Sequence, residues 1–447
     1  MSILQTLTAV LDSPSIPWKT IILGFTIAQY GFENYLSYRQ HRALLNATEP
    51  PALLKEHMTQ ETFDKSKSYA LAKSRFSFIT SAVGVIQNIA IIKLDFLPKL
   101  WTAAGSAYNA VSPFLPLFAQ SSVIAHSVVF LLGLQCFSLV FSTPIAYYQN
   151  FVLEESFGFN KLTVGLWVSD TVKSFLLSVF IGFPLTAVFL KIIDHFGDSF
   201  IFYVWCFMVA VQIIAIAIYP TLIQPLFNKL EPLQEGELKE SIENLARENK
   251  FPLTKLHVID GSKRSSHSNA YFYGLPWSKQ IVIYDTLIET STTLETTAVL
   301  AHEIGHWYLS HTTKALLLNQ CHLYAIFSLF SIFTHNDSLF RSFGFMGQQP
   351  VIVGFLLFND IFQPLDTVMT FFMHLLSRKN EYEADEYAVG LGYADSLKKS
   401  LINLNMENLS SPTSDWLFSA FHYSHPTLPE RLVAIEKKAK ELDVKQK

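Results

Sequence analysis

Seven apolar runs, each near the length of a membrane-crossing helix, dominate the sequence. A spanning helix needs about 20 mainly apolar residues. The runs are Trp18–Leu36, Phe76–Leu97, Val123–Tyr147, Val172–Ile193, Phe200–Ile223, Ala315–Phe333 and Val351–Leu376. The first is the weakest, with Lys19 and Glu33 inside it; the fifth, ending IIAIAIYP, is the strongest. Composition agrees: 16% of residues are charged, against about 25% in soluble domains. The net charge of −4 supplies no basic field for nucleic acid. Cys136, Cys206 and Cys321 each lie in an apolar stretch without a CxxC pair, which excludes a disulfide framework or a cysteine-rich zinc site. Met1–Pro17 has no basic region followed by a cleavage site, so no removable signal peptide is expected.

Polar residues recur inside the runs: Gln87, Asn88, His126, Gln135, Gln212, Asn319, His322, Asp360, Asp366 and His374. Such groups usually face a bundle interior or a wet cavity. Their number favours a wet interior; hydrogen bonding between helices is the alternative for any one of them. The connection after the first run holds Arg39, Arg42, Lys55, Lys65, Lys67, Lys73 and Arg75. The positive-inside rule makes it cytosolic. Alternation then puts the Leu97–Ser122 loop, the turn near Asp194 and the His335–Gln349 loop on the far side, all poor in Lys and Arg. The expected organisation is a membrane region with five spans (1–223), a cytosolic insert (224–314), two further spans (315–376) and a cytosolic tail (377–447). Of three glycosylation sequons, only that at Asn336 faces the lumen in this topology; those at Asn46 and Asn408 are cytosolic.

The insert reads as a helix at Glu235–Asn249, a strand at Leu256–Asp260, strands at Asn269–Gly274 and Gln280–Asp285 joined through Leu275–Lys279, and a helix at Thr292–Tyr308. That last helix carries HEIGH. Residues four apart share a helix face, so His302 and His306 can present two imidazoles to one zinc ion. Glu303 is placed to activate the attacking water. A chance HExxH occurs in roughly one chain of this length in a hundred, so the motif needs company. No third histidine stands at metzincin spacing. His311 is one residue off and, on a continuous helix, faces away; it reads as an interfacial residue.

The company is EYEAD. Glu381 and Asp385 share a helix face, with Glu383 roughly opposite. One carboxylate can bind metal while the other accepts the N–H of a ligand histidine. Taken by itself, the segment is better explained as a solvated acidic helix start. Topology shifts the balance toward the metal. The sixth run leaves the cytosolic side soon after HEIGH and the seventh returns just before Glu381, bringing it back to the depth of the two histidines. Two His and one Glu with an open fourth position is a catalytic zinc set. The strand NAYFYG has two readings, an ordinary core hairpin or an exposed edge on which Asn269, Ala270 and Tyr271 hydrogen-bond an extended peptide.

HEIGHW, SRKNEYEAD, SSHSNAYFYG, FGFNKLT, YPTLIQPLFNKLEPL and DWLFSAFHYSHPTLPERL, spread from Phe32 to about Leu432, resemble the type I CAAX prenyl proteases, the Ste24-like branch of the M48 zinc metallopeptidases. The resemblance implies a predominantly α, polytopic membrane protein, with seven long transmembrane helices forming a barrel around a water-filled chamber and a cytosolic zincin-like α+β catalytic part. It implies one Zn²⁺ per chain on His302, His306 and Glu381, with Glu303 and His425 catalytic. His425 matches the histidine held to stabilise the oxyanion; Asp385 and Arg431 match the groups that hold the site. It further implies removal of the aaX tripeptide from prenylated CaaX proteins, an N-terminal cut in a pheromone precursor in yeasts, and residence as a monomer in the endoplasmic reticulum bilayer, sometimes the inner nuclear membrane, with the active site toward the cytosol. Alternatives are a quality-control protease of the same clan, a channel or transporter carrying a structural zinc, and a lipid-binding scaffold without catalysis.

Overall fold

The structure, a computed structural model, describes residues 3–112, 122–275 and 277–446. The chain is built mainly of helices. The amino-terminal half runs α1 (Ile3–Leu11), α2 (Trp18–Asn46), α3 (Gln60–Lys93), α4 (Phe96–Val111), α5 (Ser122–Tyr148), α6 (Val164–Leu177), α7 (Phe183–Phe196) and α8 (Phe200–Ile218). Then come β1 (Leu230–Pro232), α9 (Glu237–Glu248), β2 (Leu253–Ile259), β3 (Ala270–Leu275), β4 (Ser278–Tyr284), α10 (Asp285–Thr290) and α11 (Thr293–Tyr308). The rest is α12 (His311–Phe330), α13 (Asp337–Ser342), α14 (Val351–Gly390), α15 (Ala394–Glu407), α16 (Trp416–His422) and α17 (Leu428–Gln446).

Among the described residues, four continuous helical stretches are long and apolar enough to cross a membrane: Gln60–Lys93, Val123–Glu154, Val164–Leu226 and Val351–Gly390. The third, 63 residues long, folds back at Gly197, whose φ of 48° lies in the left-handed region that glycine enters freely. Helices α7 and α8 consequently pack side by side. Helices α2 and α12 carry the first and sixth apolar runs and are not among these four stretches. The expected far-side loop Leu97–Ser122 contains α4; its residues 113–121 lie outside the described part.

Contacts gather at two poles. At one, Trp18 Nε1 donates to Ser338 Oγ (2.9 Å), Trp101 Nε1 to Gln348 Oε1 (2.9 Å) and Asn336 Nδ2 to the Leu11 carbonyl (2.9 Å). One apolar core there joins Trp18, Trp101, Ile193, Phe200, Phe333 and Phe340. These are the ends that the alternation of spans groups together. Asn336 is fully buried and accepts from Leu339 N as the N-cap of α13, so its amide is engaged in the fold. At the other pole the basic α2–α3 connection, through Leu54, Met58 and Phe63, packs on Ile402 and Leu432. The Lys- and Arg-rich segment and the carboxyl-terminal helices thus lie together.

Several polar residues within the runs bond across elements. Gln135 meets Ser178, Gln212 meets Gln320, His126 lies 2.7 Å from the Trp101 carbonyl, and His322 lies 3.4 Å from Asp366.

The second pole also carries a four-stranded sheet ordered β1-β2-β4-β3, with β2 parallel to β4 and the other pairs antiparallel. Gly274 (φ 112°) closes the β3–β4 hairpin, where an added Cβ would lie 2.3 Å from the Ser278 carbonyl oxygen. Strand β3 is an edge, hydrogen-bonded on one side only among the described residues. Ile242, Leu256, Ile281, Ile283, Leu300 and Ile304 form the core between the sheet and helices α9 and α11.

Candidate metal centre

Helix α11 begins with a capping box: the Thr292 side chain accepts from Glu295 N while the Glu295 carboxylate accepts from Thr292 N. This fixes the start of the helix that carries HEIGH. Its small residues Ala298, Ala301 and Gly305 are buried and admit a close neighbour, α14. A Cβ built on Gly305 would lie 3.2 Å from both Cα and O of Ala384 and 3.1 Å from Tyr387 Cβ. The small residue of HEIGH thus meets the small residue of EYEAD, and the two motifs touch because both are small there. Gly305→Val should force the helices apart and misplace Glu381. A misplacement of about 1 Å can lower activity ~100-fold, and Gly305→Ala, whose Cβ already meets α14 at 3.1–3.2 Å, should lower it less than Val does. Turnover measured alongside metal content tests this; a Val variant as active as the parent would contradict it.

His302, His306 and Glu381 converge, each offering one ligand atom within 4.8 Å of the others. The two Nε2 atoms are 3.1 Å apart, His306 Nε2 is 3.2 Å from Glu381 Oε1, and His302 Nε2 is 3.5 Å from Glu381 Oε2. The Oε2 atom is buried without a hydrogen-bond partner. Two imidazole nitrogens and a carboxylate facing one another, with one carboxylate oxygen orphaned, are what a metal ion satisfies and what a buried cluster otherwise tolerates poorly.

The ring of groups around these atoms is ordered. His302 Nδ1 donates to Asp385 Oδ1 (2.8 Å). Asp385, 1% exposed, is gripped by Arg431 through Nε to Oδ2 (2.8 Å) and Nη2 to Oδ1 (2.6 Å). Arg431 Nη1 also lies 3.7 Å from Glu381 Oε2. His425 Nε2 is 3.4 Å from Glu381 Oε1 with its side chain 63% exposed. It opens onto a groove of about 590 Å³ lined by Asn405, Ser411, Tyr423 and Pro426 among others, a volume within the range of small-ligand sites. The Glu303 carboxylate accepts no hydrogen bond from the described residues, and burial pushes its pKa above the ordinary carboxylate value. Asn269 is exposed and Ala270 buried; the Tyr271 hydroxyl accepts from Gln224 Nε2 (2.7 Å), and β3 packs against α11.

His311 departs from expectation. The helix is not continuous: Ser310 takes a left-handed φ of 58°, ending α11 and starting α12 at His311. His311 therefore turns back, buried, with Nδ1 3.0 Å from His306 Nδ1 and Nε2 3.0 Å from Glu383 Oε2. Burial holds its pKa below the ordinary histidine value. Glu383, read as pointing away from the metal side, is the partner of this second histidine.

Two family models match. Residues 40–229 fit the CAAX prenyl protease N-terminal region with five membrane helices, and residues 232–439 fit peptidase family M48. CAAX prenyl protease 1 of Saccharomyces cerevisiae is 48% identical over 445 residues, covering 96% of this chain and 98% of that protein. The CAAX prenyl protease 1 homolog of Homo sapiens is 39% identical over 453 residues, covering 93% and 94%. The crystal structure of S. mikatae Ste24p superposes with a TM-score of 0.89 at 48% identity, covering 95% of this chain and all of that one. The chain belongs to peptidase family M48, on the CAAX prenyl protease branch, and is a membrane-embedded metallopeptidase.

Proposed function

We propose that the protein is a zinc metalloendopeptidase that releases the aaX tripeptide from proteins ending in a prenylated CaaX sequence. The observation that carries the reading is the convergence of His302, His306 and Glu381, drawn from two helices 75 or more residues apart in sequence. A tetrahedral ion with bonds of about 2.0–2.1 Å separates its ligand atoms by about 3.3 Å; the two Nε2 atoms stand 3.1 Å apart, and each lies 3.2 or 3.5 Å from an oxygen of the Glu381 carboxylate. Two imidazoles and a carboxylate with room for a fourth partner suit zinc in a hydrolytic role. When bound, zinc supplies Lewis-acid polarisation and lowers the pKa of a water toward ~7.

The chain's own residues supply the rest. Glu303, its pKa raised by burial, takes a proton from the attacking water at its carboxylate and passes it to the leaving amide nitrogen as the C–N bond breaks. His425, exposed at the mouth, donates a hydrogen bond to the carbonyl oxygen as it gains charge. Asp385 fixes the tautomer of His302, and Arg431 fixes Asp385. The free edge of β3, at Asn269, Ala270 and Tyr271, lays out the extended peptide beside α11 by main-chain hydrogen bonds, with little demand on side chains.

Membrane embedding fits a prenylated substrate, because each lipid CH₂ favours apolar surroundings by about 0.8 kcal/mol. Only 6% of the most apolar window in Gln60–Lys93, and in Val164–Leu226, is buried within the protein. So little internal burial leaves these helices free to face lipid on one side and a cavity on the other, as seven spans around a central chamber would require. The grouping of connections at two poles supports the division into a five-span region (1–223), a catalytic insert (224–314), two further spans (315–376) and a catalytic tail (377–447). The basic α2–α3 connection beside the site supports a cytosolic active site in the endoplasmic reticulum membrane, with one chain forming a complete catalytic unit.

Incubating the purified protein with a farnesylated CaaX peptide, with and without a zinc chelator, should yield the free aaX tripeptide by mass only without chelator. Cleavage that persists after exhaustive chelation, or none at all in zinc-loaded protein, defeats the proposal.

A further inference from the structure

We propose that His311 and Glu383 are a positioning pair that holds His306 in the one tautomer able to ligate metal. The inference rests on His306 being a metal ligand, as argued above, and adds a role for two residues outside the ligand set.

Two hydrogen bonds and the inventory of protons carry it. A carboxylate only accepts, so the 3.0 Å contact between His311 Nε2 and Glu383 Oε2 places a proton on His311 Nε2. A neutral imidazole has one N–H, and His311 is 3% exposed, where a cationic ring would be heavily desolvated. Its Nδ1 is then a lone pair. The 3.0 Å contact between the two Nδ1 atoms needs one proton, and only His306 can supply it. His306 therefore carries its proton on Nδ1 and bares Nε2, the atom that faces His302 Nε2 and Glu381 Oε1. In the opposite tautomer Nε2 would bear hydrogen and could bind nothing.

The arrangement repeats, with one more link, what Asp385 does for His302 at 2.8 Å. One stretch of α14 supplies all three carboxylates: Glu381 toward the metal atoms, Asp385 toward one imidazole and Glu383 toward the relay to the other. Lys379 Nζ, 3.6 Å from Glu383 Oε1 one turn earlier, steadies Glu383 from its solvent side. The backbone is built for the contact. On an unbroken helix a residue five positions on is turned by about 140°, and His311 would face elsewhere. Ser310, in a left-handed conformation that most side chains avoid, resets the direction so that His311 closes on His306 with ring centroids 5.2 Å apart.

The test uses the full-length, detergent-solubilised chain. Zinc affinity is read by competition with a chromophoric chelator, and melting of the metal-free protein is read separately. His311→Phe and Glu383→Leu should each weaken zinc binding ~10–100-fold, the usual effect of losing a partner that orients a ligand. Glu383→Gln keeps an oxygen that accepts from His311 Nε2 and should stay within about threefold of the parent. Metal-free melting should be unchanged for the two Glu383 variants, and at saturating zinc the KM for peptide should match the parent. If His311→Phe does not fold, the partly exposed Glu383 pair decides alone. Parent-like affinity in Glu383→Leu overturns the proposal. So does equal loss in Leu and Gln variants, since that would assign the effect to charge and not to proton placement. A parent protein that binds no zinc would instead defeat the underlying reading of His306, and the positioning role with it.

Discussion

Glu303→Gln should lower kcat/KM for a farnesylated CaaX peptide by about 10²–10⁴-fold while leaving zinc stoichiometry at that of the parent. The three atoms that converge belong to His302, His306 and Glu381, and Glu303 is not among them. Its amide has the same shape, so packing in α11 is kept; what it lacks is a basic oxygen for the proton of water. Burial raises the Glu303 carboxyl above its ordinary value, which strengthens it as a base where it is ionised. Tripeptide release quantified by mass, with zinc content measured on the same sample, separates catalysis from metal binding. A Gln variant that cleaves at the parent's rate would remove Glu303 from the chemistry, and one that loses its zinc would show the residue to be part of the metal's support instead.

The largest stability effect should come from Arg431→Leu. Arg431 is the bidentate partner of Asp385, whose side chain is 1% exposed. Removing one member of a buried ion pair strands the other charge, typically at about 3–5 kcal/mol. For a catalytic part of this size that is a fall of roughly 10 °C in melting temperature. Asp385, no longer held, should also release His302, weakening zinc about 10–100-fold. The double replacement with Asp385→Leu removes the stranded Asp385 charge. It should recover much of the melting temperature but not the zinc affinity, because His302 Nδ1 still has no acceptor. If both variants melt alike and bind zinc alike, the pair is not the support described.

Most of the scaffold was legible in the sequence because its signals are long or local. A span is a run of apolar residues, and the insert's strands and helix are written in period and punctuation, so α9, β2, β3, β4 and α11 fall within a few residues of expectation. The pairing of HEIGH with EYEAD was legible through topology: two antiparallel runs return the chain to its starting depth. Three things were not. Helix α4 hides in a segment too short and too mixed to stand out as a span. The buried role of Asn336 depends on Leu11, more than 300 residues away. The turn at Ser310 carries neither glycine nor proline, the usual marks of a left-handed residue. HEIGHWYLSH therefore read as one helix and its last histidine as a bystander. The same blindness concealed Glu383, whose value is visible only once His311 has turned back toward the ligands.

Helix α14 runs unbroken for 40 residues, from the start of the seventh apolar run through Glu381 to Gly390. At 1.5 Å per residue it is a single lever about 60 Å long. On the proposed ligand set, Glu381 is thus mounted on the last rod to be threaded through the bilayer during synthesis, after both histidines have already emerged. A chain arrested before that step holds two imidazoles and no carboxylate to complete the trio. With that ligand set, proteolytic power would be withheld from every unfinished copy, and the enzyme would arm itself only on completing its own insertion.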